Sequence, residues 1–203
     1  MNKFLINKEL YKYSNLIEKP IKIKNLLKYD LNLVKNNTNL KLAFKDDLLV
    51  RLAKRSVELE NLPYGLSSMP SIGILTKYYL DSFNELHQFN NLDNDKEMIE
   101  ILKIIYQRHA DTSDRIRQGL KQLNKNLSKR YEEDVFEHLK KSGNLPFGSF
   151  NKLNNAIDQF YTNRFGVRLL IDQYINYDNP NKNFTGVINT RTSPLEILED
   201  AVE

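Results

Sequence analysis

Residues 160–177 read FYTNRFGVRLLIDQYINY. At 100° per residue, Phe160, Val167, Ile171 and Ile175, together with Ile157 just upstream, fall within an arc of roughly 100°, the stripe by which a helix faces a core. Arg164 and Arg168 lie on the same stripe. A guanidinium keeps its charge even there. Either the two arginines reach water or carboxylates, or an anion comes in to meet them.

The same helical period recurs upstream. Phe44–Leu62 places Leu48, Leu52, Val57 and Leu59 on or near one side and stops at Leu62-Pro63. A second helix starts at Pro70 and runs to about Phe89. A third spans Asp95 to Leu127, with Leu102, Ile105, Tyr106, His109, Ser113, Ile116, Leu120 and Leu123 near heptad spacing. The turn-like SGNLPFGS, residues 142–149, precedes the fourth, Phe150 to Tyr177. Four long amphipathic helices with short or polar connections predict an all-α protein, an antiparallel four-helix bundle. The end differs: FTGVINT (184–190) suits a strand or an extended linker. SPLEILEDAVE (193–203) then opens a helix with Ser193 as N-cap, Pro194 first and Glu196 completing a capping box. So short a helix is marginal alone and needs a surface, for which a following domain is one candidate.

Composition narrows the chemistry. Hydrophobic residues at 40% and charged residues at 28% are ordinary for a globular protein. No apolar run approaches the roughly 18 residues of a membrane span. The absence of cysteine excludes disulfides and thiolate sites, and His87, His109 and His138 lack metal-ligand spacing. Residues 1–45 carry ten lysines against Glu9, Glu18 and Asp30, a net +7 in a chain of net +4, leaving the rest at −3. Such a segment suits nucleic acid, an acidic partner, a targeting peptide or simply a solvated lysine face. It contains no arginine, and nothing else in the chain points to nucleic acid.

Three segments carry a resemblance: DLLVRLAKRSVELENLPYGLSSMPSIGILTKYYLDSFNEL (47–86), QRHADT with QGL (107–120), and AIDQFYTNRFGVRLLIDQY (156–174). In order and spacing they resemble the mitochondrial kinases of 2-oxoacid dehydrogenase complexes, the pyruvate dehydrogenase kinases and the branched-chain 2-oxoacid dehydrogenase kinase. YKYSNLIEKPIKIKNLLKYD (11–30) is similar to that family's opening segment, and residues 184–203 to its domain junction. The resemblance implies a docking segment (1–38), a histidine-phosphotransfer-like four-helix regulatory bundle (39–180), and the start of an α/β ATP-binding domain (181–203). ATP and magnesium belong to that further domain. Its acidic/asparagine box, DxGxG and Gly-rich lid do not occur in these 203 residues, which include only seven glycines. The chain is therefore expected to represent the regulatory half of a protein-serine kinase of the mitochondrial matrix, inactive by itself. A stand-alone, non-catalytic binding module is the alternative.

The resemblance also answers the arginine question. It implies a pocket for an inhibitory 2-oxoacid, here Leu52, Tyr79, Ser82, Ile105, His109, Asn163, Arg164, Val167, Arg168 and Ile171. A carboxylate would take charge-assisted hydrogen bonds while its alkyl tail meets apolar surface. The bland alternative is an ion bridge such as Arg168–Asp172 at i, i+4. At position 106 stands Tyr, where pyruvate-type members have a basic residue. His109 is only superficially similar to the phosphoacceptor of bacterial histidine kinases, because the family does not use it so. Ile21, Leu26, Tyr29 and Phe44 align with the slot for the lipoyl-lysine arm of the complex's acyltransferase core. Helix packing would satisfy the same four residues. The implied partners are the lipoyl domain, the decarboxylase component as substrate, and a small 2-oxoacid effector.

Overall fold

The computed structural model describes residues 8–22, 37–92, 94–130, 147–176 and 183–202. Among these, helices dominate: α1 (Lys8–Ser14), α2 (Thr38–Glu60), α3 (Pro70–Gln88), α4 (Asp95–Arg108), α5 (Thr112–Arg130), α6 (Phe147–Ile175) and α7 (Pro194–Asp200). The apolar stripes pack α2 against α1, α3 and α6, α3 against α5, and α6 against α4. Leu48, Leu52, Ile72, Leu75, Leu102, Ile105, Phe160 and Ile171 all lie in one continuous core. No described helix is long and apolar enough to cross a membrane.

Three predicted boundaries move. First, α2 begins six residues before Phe44, because the Asn37 carboxamide oxygen accepts from the amides of Asn39 (3.0 Å) and Leu40 (3.3 Å). Second, α6 starts at Phe147, inside the segment read as a turn. Third, the single helix expected over 95–127 is two helices, broken at 109–111. Thr112 Oγ1 donates to the His109 carbonyl at 2.7 Å, and the Arg115 amide returns to the Asp111 carbonyl at 3.0 Å. The apolar stripe keeps its phase across the turn, with Leu102, Ile105, His109, Thr112 and Ile116 all buried. Thr112 therefore replaces Ser113 on the inner face, and Ser113 is exposed.

Part of the lysine-rich segment is likewise not a solvated face. Lys41 and Lys45 are buried. Lys41 Nζ meets the Leu92 carbonyl (2.9 Å) and Asp95 (2.6 Å), while Lys45 Nζ donates to the carbonyls of His87 (3.3 Å) and Phe89. Lys45 satisfies carbonyls at the end of α3, and Lys41 one in the connection to α4. The extended run 184–190 forms a two-stranded antiparallel hairpin, β1 (Phe184–Thr185) with β2 (Ile188–Asn189). The buried Gln173 of α6 latches it, donating to the Thr185 carbonyl (2.8 Å) and accepting from the Val187 amide (3.1 Å). Gly186, at φ +62°, lies so close that an added Cβ would sit 2.4 Å from the Gln173 side chain.

Candidate functional site

The break between α4 and α5 creates the first element of the site. In a continuous helix the His109 carbonyl would bond to the amide four residues on. Here it faces α6 and accepts from Arg164 Nη2 at 2.8 Å. The His109 ring is buried and stacks obliquely on Tyr79, with centroids 4.1 Å apart. Its Nε2 lies 3.0 Å from Ser82 Oγ, and that oxygen also accepts from Arg108 Nη1 at 2.9 Å. Arg108 Nη2 in turn contacts Glu85 at 2.6 Å.

Arg168 lies one turn along α6 from Arg164. Its guanidinium sits over the Tyr106 ring, 3.8 Å from the centroid, in cation–π geometry. The i, i+4 ion pair with Asp172 does not form: Asp172 accepts instead from the Tyr106 hydroxyl (3.2 Å) and from Asn176 Nδ2 (2.9 Å). Among the described residues neither Arg164 nor Arg168 has a carboxylate partner. Arg164 Nε, Arg168 Nη1 and His109 Nδ1 are buried without a hydrogen-bond partner.

Electrostatics follow. Burial pushes the His109 imidazole down to about 3, and the charges of Arg108, Arg164 and Arg168 add to it, so the ring is neutral. Burial also pulls the Arg164 guanidinium below its ordinary value, with Arg168 pushing the same way. Tyr79 is raised, chiefly by burial, against the pull of the neighbouring arginines. Leu52 of α2, Ile105 of α4, and Val167 and Ile171 of α6 are buried in the same core.

Asn163 does not join this cluster through a hydrogen bond. Its Nδ2 donates to Glu58 Oε1 at 3.0 Å, within a second polar group that the sequence reading missed. There Arg51 and Arg55, on the inner face of α2, are 3% and 1% exposed. Glu18 bridges both, 2.8 Å from Arg51 and 3.0 Å from Arg55, while Asp47 takes Arg51 (3.0 Å) and Glu58 takes Arg55 (2.7 Å). Arg55 also has unbonded buried nitrogens, but its charge is matched. Burial raises the Glu58 carboxyl, which Arg55 and Asn163 partly counter. Glu18 is 33 and 37 residues from its two partners and leaves no local signal; the available hints were the two arginines on an apolar face and the nearby Asp47 and Glu58 at helical spacing.

Of the four predicted docking residues, Leu26 and Tyr29 lie outside the described residues. Ile21 lines a cleft of about 780 Å³ with Phe165, Leu169 and Ile188, beside the Arg51–Glu18 group. The strap carrying Ile21 approaches α6 at Gly166, where an added Cβ would come within 3.1 Å of the Ile21 side chain. Phe44 is not part of that cleft and stacks on Tyr174, centroids 4.7 Å apart.

A family model described as mitochondrial branched-chain alpha-ketoacid dehydrogenase kinase matches residues 20–189. The chain belongs to this family. Among its relatives is the mitochondrial pyruvate dehydrogenase (acetyl-transferring) kinase of Arabidopsis thaliana, 31% identical over 77% of the chain and 39% of the relative. Isozyme 3 of the Homo sapiens kinase is 28% identical over 98% of the chain and 47% of its own length. The probable Caenorhabditis elegans kinase is 27% identical over 83% and 38%. The chain thus spans less than half the length of these relatives, and every site residue described above except Glu18 falls within the matched segment.

Proposed function

We propose that this chain is the regulatory and docking part of a mitochondrial-matrix protein-serine kinase. The kinase would phosphorylate and inactivate the decarboxylase component of a 2-oxoacid dehydrogenase complex, and a small 2-oxoacid held on α6 would be its effector. Two buried guanidinium donors without partners, on Arg164 and Arg168, and a buried unbonded ring nitrogen of His109 carry the effector reading. An orphaned buried donor is costly. A carboxylate supplies several acceptor sites and the charge that two arginines lack, while Leu52, Ile105, Val167 and Ile171 offer apolar surface to a short alkyl tail. Tyr106, lying across Arg168, bounds the site on the α4 side.

Helices α2, α3, α4–α5 and α6 read together as the family's four-helix regulatory bundle, and the hairpin with α7 as the approach to an ATP-binding domain. ATP and magnesium supply phosphoryl transfer on that domain; the residues here bind and orient. The docking half rests on Ile21 and its apolar-walled cleft, a surface suited to an aliphatic lipoyl-lysine arm. The lysines of the opening segment would meet an acidic lipoyl domain. The family match and the relatives' names support kinase and mitochondrion alike.

The test is thermal unfolding of the chain with increasing pyruvate or a branched 2-oxoacid. Wild-type protein should be stabilised in a concentration-dependent way, and Arg168→Ala should lose that stabilisation. Equal stabilisation of wild type and Arg168→Ala would sink the assignment.

A further inference from the structure

The hydroxyl of Ser82 has a single proton, and its surroundings decide where that proton goes. Arg108 can only donate, and its Nη1 points at Ser82 Oγ from 2.9 Å. The hydroxyl oxygen is therefore an acceptor towards Arg108; were it to accept from His109 as well, its own proton would have no acceptor among the described residues, so that proton goes to His109 Nε2, 3.0 Å away. A nitrogen that accepts carries no hydrogen. The buried ring is neutral, so its one N–H must be at Nδ1. In an exposed neutral histidine the other tautomer is the more populated. Glu85 holds the far side of Arg108 at 2.6 Å and is itself 44% exposed, so the chain of contacts runs from the surface inward: Glu85, Arg108, Ser82, His109.

We propose that Arg108 is a positioning residue that fixes His109 in its Nδ1–H form, giving the effector site a third donor beside Arg164 and Arg168. His109 Nδ1 is buried without a partner, as are Arg164 Nε and Arg168 Nη1. Arg164 also bonds to the carbonyl of His109 itself. A site whose free groups are all donors matches a ligand that offers only acceptors, as a carboxylate with an adjacent keto oxygen does. A 2-hydroxy acid brings a hydroxyl proton that finds no acceptor there. Discrimination of 2-oxo from 2-hydroxy acids thus depends on a residue that need not touch the ligand. This inference rests on the effector reading above, but the tautomer can be observed without any ligand.

The experiment uses the full chain labelled with 15N-histidine, with His109→Gln identifying the His109 signals among the three histidines. In wild type without ligand, Nε2 should be the unprotonated, pyridine-type nitrogen and Nδ1 the protonated one. Arg108→Met removes the charge-assisted donor that weakens Ser82 Oγ as an acceptor and strengthens its O–H as a donor, and should move His109 towards the Nε2–H form; Arg108→Lys, which keeps a donor, should restore Nδ1–H at least in part. Circular dichroism identifies variants that retain the fold. Titration with pyruvate and with lactate then gives a preference of about tenfold for pyruvate in wild type. That preference should shrink towards parity in Arg108→Met. Wild type in the Nε2–H form, or Arg108→Met unchanged in tautomer, overturns the proposal. Failure of pyruvate to bind while the tautomer responds to Arg108 would remove the 2-oxoacid reading and support the positioning role.

Discussion

Helices α2 and α6 each present two arginines four residues apart on an apolar face, and the two pairs meet different surroundings. Arg51 and Arg55 are met by Glu18, Asp47 and Glu58, three carboxylates for two guanidiniums. Arg164 and Arg168 are met by a backbone carbonyl and the face of a tyrosine. The first arrangement is a fastener. It ties the strap around Glu18 to α2, and through Glu58 and Asn163 to α6. The second is short of negative charge and of acceptors, which is the condition of a receptor for an anion. Identical spacing therefore does not fix the role; the carboxylates within reach do, two from the same helix and one from the strap.

The two pairs should differ most in their response to losing a charge. Replacing Glu18 with Gln removes the carboxylate shared by two buried guanidiniums, and uncompensated buried charge is costly, so urea unfolding should show a loss of about 3 kcal/mol. Arg168→Met, on the other helix, should fall within about 1 kcal/mol of wild type without ligand, since it removes a charge with no carboxylate partner. Equal losses in both variants would erase the distinction between fastener and receptor.

A smaller effect is expected with pH. His109, held at about 3 by burial and by Arg108, Arg164 and Arg168, stays neutral in the folded chain, whereas the unfolded residue titrates near 6.5. Below pH 6.5 the unfolded state takes up the extra proton, so this contribution to stability is complete above 6.5 and is lost progressively as pH falls towards 3. His109→Gln should flatten the decline measured between pH 7 and about 5. An undiminished slope would place the titrating group elsewhere. The smallest effect is expected at Asn163, whose side chain bonds to Glu58 of the fastener. Asn163→Ala should cost about 1 kcal/mol of stability and leave the midpoint of pyruvate stabilisation unchanged.

Much of the fold was legible because long stripes at helical spacing dominate the sequence. The break at 109–111 was not, since a three-residue turn keeps the stripe in phase and periodicity passes through it unchanged. Asp111 and Thr112 are both residue types that favour helix starts, and they were the signal available. Similarly, Asn37 marks the start of α2 by its side chain alone, before any apolar residue of the stripe. In the site, Arg164, Arg168 and His109 were legible as polar side chains on core-facing stripes, and Ser82 and Tyr79 came with the family resemblance. The contact of Arg164 with the His109 carbonyl was not legible, because it depends on that break. Nor was the company of Asn163, which lies beside Arg164 in sequence yet serves Glu58.

The most direct test follows the arginine side chains themselves. Nε–H signals of 15N-arginine-labelled chain can be recorded during a pyruvate titration, with single substitutions to identify Arg51, Arg55, Arg164 and Arg168. Saturable shifts are expected at Arg164 and Arg168, and none at Arg51 and Arg55. Shifts confined to Arg51 and Arg55, or no shift at any of the four at pyruvate concentrations that stabilise the chain, would contradict the division into fastener and receptor.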